Sequence, residues 1–214
     1  MLEVERKFCP LAAALIVRNA GFPPFRRFLP QPQKVFRDTY YDHGEVLRKA
    51  GIWVRKREEQ WEAKVKVGGD YINSQFQEVR GPKAVDAAIS SCLQGYRRSP
   101  VKRPLHLPSA FDASNIGPVA EFVTTRDSWT VDDEYTIVID STDFGHIVGE
   151  VELEYDHPDH LLEDAKNVFL KQANEKIASF MRHYAWAFPP GECKGKLTAY
   201  FEWTSRGMRA EKLE

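Results

Sequence analysis

Apolar and polar residues alternate with a period of two through most of the chain, which predicts a protein dominated by short strands. The alternating segments run over 2–8, 34–41, 52–58, 61–67, 73–80, 119–126, 128–132, 135–141, 147–154 and 195–203. Three segments carry helical spacing instead. Residues 10–20 begin with Pro10 in the first turn and stop at Gly21. Residues 83–96 set Val85, Ala88, Ile89, Cys92, Leu93 and Tyr96 along one stripe. The longest starts at Pro158 and repeats apolar residues through Leu161, Ala165, Phe169, Ala173, Ile177 and Met181. Four prolines among polar residues over 98–118 mark a long connection, and Pro189-Pro190-Gly191 marks a loop. Most strands are separated by only a few residues. That spacing favours an antiparallel α+β protein over a doubly wound parallel sheet.

The two faces of these strands differ in more than polarity. On 2–8, Leu2, Val4 and Phe8 oppose Glu3, Glu5 and Lys7. On 52–58, Trp53, Arg55 and Arg57 oppose Ile52 and Val54. On 61–67, Glu62, Lys64 and Lys66 oppose Trp61, Ala63, Val65 and Val67. On 147–154, Glu150, Glu152 and Glu154 oppose Ile147, Val151 and Leu153. One such strand alone reads as a half-buried ribbon with a solvated face. Several together sort by sign, with carboxylates paired at two-residue spacing on some strands and bases on others. Like charges two apart on one face repel, unless something of opposite sign sits between them. Carboxylate pairs suit a hard divalent cation, Mg²⁺ or Mn²⁺, and Arg or Lys pairs suit phosphate. A ligand that needs both is a polyphosphate chelating a metal ion. Strands closed into a barrel with this face inward would form a polar tunnel for it, with helices over the apolar outer face.

Composition narrows the alternatives. The 214 residues suit a single domain, drawn here as 1–203 with a tail at 204–214 that is expected to fray. Lys and Arg total 30 against 31 Asp and Glu, so the net charge of -1 removes the general electrostatic case for nucleic acid or an anionic membrane. The charged start and an apolar run no longer than Leu11 to Val17 predict neither a signal peptide nor a membrane span. Cys9, Cys92 and Cys193 form no CxxC pair, which suits reduced thiols acting as packing in a cytoplasmic protein. There is no HExxH, Walker A, GxGxxG or GxSxG pattern, and His157 and His160 read as part of a turn and helix start.

The ExExK run Glu3-Val4-Glu5-Arg6-Lys7 is followed by Phe36-Arg37-Asp38-Thr39-Tyr40-Tyr41-Asp42, then by Trp53-Val54-Arg55-Lys56-Arg57 and Trp61-Glu62-Ala63-Lys64. Thr124-Thr125-Arg126-Asp127-Ser128-Trp129, Asp140-Ser141-Thr142-Asp143-Phe144-Gly145, Gly149-Glu150-Val151-Glu152 and Lys196-Leu197-Thr198-Ala199-Tyr200 come later. In this order the motifs resemble the CYTH superfamily of triphosphate tunnel metalloenzymes, and within it the thiamine triphosphatase branch. The resemblance runs from residue 3 to about 200. It implies a closed eight-stranded antiparallel barrel with flanking helices. It also implies that Glu3, Glu5, Glu78, Asp140, Glu150 and Glu152 hold divalent metal, Mg²⁺ or Mn²⁺ in its place. Lys7, Arg55, Arg57, Lys64, Arg126 and Lys196 would clamp the triphosphate, with Glu150 also at the substrate. Tyr40 would lie beside Lys7 and tune proton transfer. Val138 departs from the branch, which usually carries an acid there, so either Asp140 takes that ligand's place or metal affinity is lower.

The expected function is Mg²⁺-dependent hydrolysis of thiamine triphosphate to the diphosphate and orthophosphate by a monomer. An inorganic tripolyphosphatase, a class IV adenylyl cyclase and a non-catalytic polyphosphate-binding module are the alternatives. The expected partner is a small-molecule triphosphate, not nucleic acid or membrane. Trp53 shares the face of Arg55 and Arg57, either as a plug at the barrel end or as a surface for the thiazolium cation.

Overall fold

The alternation is realised as strands β1 (Leu2–Phe8), β2 (Phe28–Pro30), β3 (Lys34–Asp42), β4 (Ile52–Arg57), β5 (Gln60–Gly69), β6 (Asn73–Arg80), β7 (Gly117–Val131), β8 (Tyr135–Thr142) and β9 (Ile147–Tyr155). The helices are α1 (Ala13–Arg18), α2 (Val46–Ala50), α3 (Pro82–Arg98), α4 (Glu163–His183) and α5 (Lys196–Ala210). This computed structural model describes residues 1–98, 116–156 and 163–210. All the strand pairings are antiparallel. They run in the order β7-β3-β4-β5-β6-β1-β9-β8, and β8 pairs back with β7, so eight strands close into a barrel. Short β2 adds to the far end of β7 at Trp129 to Val131.

Closure turns the barrel's outer surface apolar, and the helices cover it. Leu2, Val4, Ile137, Ile139, Val151 and Leu153 of the strands pack against Leu170, Ala173, Ile177 and Phe180 of α4 and against Tyr184 just beyond it. On the other side Ile52, Val54 and Ala63 pack against Val46 and Leu47 of α2 and against Val85, Ile89 and Leu93 of α3. Each Val, Leu, Ile or Phe among them contributes roughly 1.5–3 kcal/mol when fully buried. The hydrophobic core therefore lies between barrel and helices, and the barrel interior is left for charge.

Several elements differ from expectation for identifiable reasons. The segments at 119–126 and 128–132 are one strand, β7, which is long enough to pair with β3, β8 and β2. The segment at 195–203 is not a strand but the start of α5, which continues past Trp203 to Ala210. Leu197, Tyr200 and Phe201 also fit helical spacing, and they pack on Tyr40, Ala120 and Phe122. The first helix is shorter than predicted. It ends at Asn19, in the left-handed region at φ 48°, whose side chain bonds the backbone of Phe25. Gly21 is needed for a different reason, since a Cβ there would lie 1.8 Å from the Trp186 ring. Most of the 98–118 connection and the Pro158 helix start fall outside the described residues. Cys9, Cys92 and Cys193 are not joined by disulfides. None of the described helices is long and apolar enough to cross a membrane.

Candidate active site

Strand register decides which charges meet inside the barrel. Between β1 and β9, Glu3 stands opposite Glu154, Glu5 opposite Glu152 and Lys7 opposite Glu150. Lys64 of β5 lies between Trp53 of β4 and Glu78 of β6. Arg55 faces Tyr40 on one side and Glu62 on the other, and Asp38 faces Arg57. Arg126 of β7 faces Asp140 of β8. The cavity between these walls is about 410 Å³, and every residue expected at the site lines it except Asp140.

One arc of the wall is acidic. Oxygens of Glu3, Glu5 and Glu152 all lie within 4.8 Å of one another. Burial pushes Glu3 well above the usual carboxylate range. Burial likewise raises Glu152 to about 7, with Glu150 and Glu5 adding to the effect. Glu5 goes the other way: despite its burial, Lys64 and Lys7 bring it down to about 2. Glu78 is also burdened by burial, yet Lys64 and Arg55 hold it at about 2. The Lys64 ammonium sits in the middle of this arc, bonded to Glu3 and lying 3.3 Å from Glu5 and 3.1 Å from Glu78. Burial works against its charge, but the three carboxylates more than compensate and raise its affinity for the proton. Three converging, buried, hard oxygen donors are the chemistry of a Mg²⁺ or Mn²⁺ site, so the residues fit such an ion.

The facing arc is basic, and buried acids hold it in place. Asp38, with 0% exposure, accepts from Arg57 Nε and Nη2 at 2.8 Å each and lies 3.8 Å from Arg55. Arg55 also donates to Glu62 at 2.9 Å. Asp140, likewise 0% exposed, accepts from Arg126 Nε and Nη2 at 2.7 Å each and is bonded by Lys196. Burial favours the neutral acid at Asp140, but Lys196 and Arg126 hold it far below the ordinary range. Its oxygens thus serve the bases, away from the converging carboxylates. Lys196 reaches the cavity from the first turn of α5 rather than from a strand.

Lys7 and Tyr40 line the cavity from different walls. Lys7 is bonded to Glu5 and lies 3.7 Å from Glu150, which together keep it protonated against its burial. Tyr40 stands across the ladder from Arg55 and stacks on Phe122 at 5.6 Å. Trp53 packs edge-on to Phe76 at 5.4 Å and also lines a second cavity of about 350 Å³, whose wall includes Tyr41, Ile52, Val54 and Phe201. Sequence reasoning missed Asp38 as part of the site. Its parity with Tyr40 was the available signal, but its partner emerges only from the β3–β4 register.

The CYTH domain family profile matches residues 1–184. Human thiamine-triphosphatase is 29% identical over 171 residues, covering 71% of this chain and 67% of the human protein. A Pyrococcus horikoshii protein superposes with a TM-score of 0.56 at 18% identity, over 94% of this chain and 98% of its own. A Hippeastrum protein described as a candidate adenylyl cyclase with a dominant triphosphatase activity superposes with a TM-score of 0.52 at 14% identity, over 94% and 95% of the two chains. These structural likenesses concern the fold.

Proposed function

The chain belongs to the CYTH domain family, and from that premise we propose that it is a divalent-metal-dependent triphosphatase that converts thiamine triphosphate to thiamine diphosphate and orthophosphate. The observation that carries this reading is the pair of arcs facing each other across one cavity, carboxylates on β1, β6 and β9 with Lys64 of β5 among them, against bases on β4, β7 and α5. A simple anion site would be weakened by the acidic arc, whereas a metal-chelating polyphosphate uses both.

Glu3, Glu5 and Glu152 would hold Mg²⁺ or Mn²⁺, with Glu78 and Glu150 beside them. The ion supplies neutralisation of phosphate-oxygen charge and a fixed point for the polyphosphate chain. Arg55, Arg57, Lys64, Arg126 and Lys196 bind the remaining phosphate oxygens and stabilise the charge that spreads over them as the terminal phosphoryl group leaves. Asp38 and Asp140 act through those bases by fixing their orientation before the ligand arrives. In this reading Asp140 is a support for Arg126 and Lys196 rather than a metal ligand. Lys7, kept protonated between Glu5 and Glu150, contributes positive charge at the reacting end instead of accepting a proton. The Tyr40 hydroxyl is a hydrogen-bonding group on the opposite wall, suited to orienting water.

The preference for thiamine triphosphate rests on the similarity to human thiamine-triphosphatase and on Trp53, which borders both the charged cavity and the aromatic one. An inorganic tripolyphosphatase using the same walls is the second reading, and Trp53 is the residue that separates the two. Phosphate release from thiamine triphosphate, tripolyphosphate and ATP with Mg²⁺ tests the proposal. The highest kcat/KM is expected for thiamine triphosphate. A higher value for tripolyphosphate would favour the second reading, and no release from any of the three would refute both.

A further inference from the structure

Two guanidiniums of the basic arc, Arg57 on β4 and Arg126 on β7, approach the same aromatic ring. The Arg57 guanidinium carbon lies 3.9 Å from the centre of the Phe36 ring, and that of Arg126 lies 5.7 Å away. Phe36 is on β3, the strand between β4 and β7, and is 7% exposed. It stands two residues from Asp38, which pairs across the ladder with Arg57, and two from Lys34, which pairs with Arg126. It therefore shares the inner face of β3 diagonally between both bases, yet it is not among the residues lining the cavity.

The two arginines are held alike on their far sides. Each gives Nε and Nη2 to a fully buried aspartate, Asp38 for Arg57 and Asp140 for Arg126. Those bonds use two of the five N–H donors of a guanidinium. The aspartates set the orientation of each plane but not the separation between the two cations, which repel one another. An aromatic face carries negative charge and attracts a cation placed over it, so one ring touching both draws two like charges toward a common spacer. An aliphatic side chain of similar size would fill the space without that attraction.

We propose that Phe36 is a positioning residue that sets the spacing of Arg57 and Arg126, so that Asp38, Arg57, Phe36, Arg126 and Asp140 form one braced two-pronged phosphate clamp. The inference rests on the triphosphate reading of the cavity and deepens it. Phe36 acts through the arginines and does not touch the ligand.

The test is calorimetric titration of the metal-free full chain with inorganic tripolyphosphate at low ionic strength, where the bases are the part of the site that binds. Wild type, Phe36→Leu, Phe36→Tyr, Arg57→Gln and the Arg57→Gln/Phe36→Leu double variant are compared. Loss of the ring should weaken binding roughly 10-fold in Phe36→Leu, while Phe36→Tyr, which keeps it, stays within about 2-fold of wild type. In the Arg57→Gln background the Phe36→Leu effect should shrink to under about 3-fold, because the Arg57 cation that the ring would hold is already gone. A merely structural role predicts the same loss in both backgrounds, and that result overturns the proposal. So does unchanged affinity in Phe36→Leu, or no tripolyphosphate binding by metal-free wild type. If Phe36→Leu fails to fold, Phe36→Met is read by the same criteria. Phosphate release with Mg²⁺ reports separately on the triphosphatase reading: release together with an unaffected Phe36→Leu refutes the spacer alone.

Discussion

Glu5 of β1 and Glu152 of β9 stand directly opposite each other in the antiparallel ladder, 3% and 4% exposed. Two ionised carboxylates in that relation are unfavourable. The site resolves the conflict by unequal proton affinity. Lys64 and Lys7 overcome burial at Glu5 and hold it at about 2, while burial, with Glu150 and Glu5 adding to it, lifts Glu152 to about 7.

The first prediction follows from that asymmetry. Glu152 binds its proton more tightly in the folded chain than at its ordinary value of 4.5. Between about 4.5 and 7 the folded state thus holds more protons than the unfolded one, and stability must fall as pH rises through that window. The shift corresponds to something on the order of 3 kcal/mol. Glu5 contributes with the opposite sign, its stabilisation being lost only as pH falls below the ordinary carboxylate value. Denaturant unfolding in chelator should show wild type less stable at pH 8 than at pH 5. Glu152→Gln should flatten part of that slope, with Glu3, which is raised in the same direction, supplying the rest. Indistinguishable slopes would place the proton elsewhere.

The bases that line the cavity yield a second prediction. Lys64→Ala and Arg57→Ala should each reduce kcat/KM by roughly 10- to 100-fold, the worth of a charge-assisted hydrogen bond of about 1.5–3 kcal/mol. Strand parity alone, with bases two apart on one face, suggests that such truncations relieve repulsion and leave stability unchanged or improved. The register reverses that sign. Lys64 separates Glu3, Glu5 and Glu78, and Arg57 neutralises fully buried Asp38. Leaving a buried charge unpaired costs about 3–5 kcal/mol, so Arg57→Ala should lower the unfolding free energy, and adding Asp38→Asn should recover much of it. Stability equal to wild type in Arg57→Ala would show that Asp38 finds another partner.

Trp53 is the subject of the third. If its indole lies against an aromatic cation, Trp53→Ala should lower kcat/KM for thiamine triphosphate by several-fold to about 30-fold, since cation–π contact is worth about 0.5–2 kcal/mol. Tripolyphosphate hydrolysis should barely change. Equal losses on both substrates would mean that the indole seals the barrel end, and no loss on either would favour the tripolyphosphatase reading.

The sign-sorted strand faces were legible because a strand's period of two is rigid, so Glu3, Glu5, Arg55, Arg57, Lys64, Glu150 and Glu152 could be assigned to one face before any fold was known. Parity left the closed barrel as a condition, and the resemblance to the CYTH superfamily supplied it. Two things were not legible. Residues 195–203 satisfy both strand alternation and helical spacing, and only packing of Leu197, Tyr200 and Phe201 on Tyr40, Ala120 and Phe122 decides for the helix. The work of Asp38 and Asp140 depends on which strand lies beside which. Parity puts them on the inner face, but only register shows that each meets an arginine there.

The claim that the acidic arc exists to hold a divalent cation is tested most directly by phosphate release from thiamine triphosphate with Mg²⁺ and with excess chelator, for wild type and Glu5→Gln. Glu5→Gln keeps the shape of the side chain while removing one of the three converging carboxylates. The account predicts that chelator abolishes release by wild type, that Mg²⁺ restores it, and that Glu5→Gln remains folded with its rate cut at least about 100-fold. Full wild-type activity in excess chelator, or an unimpaired Glu5→Gln, would contradict it.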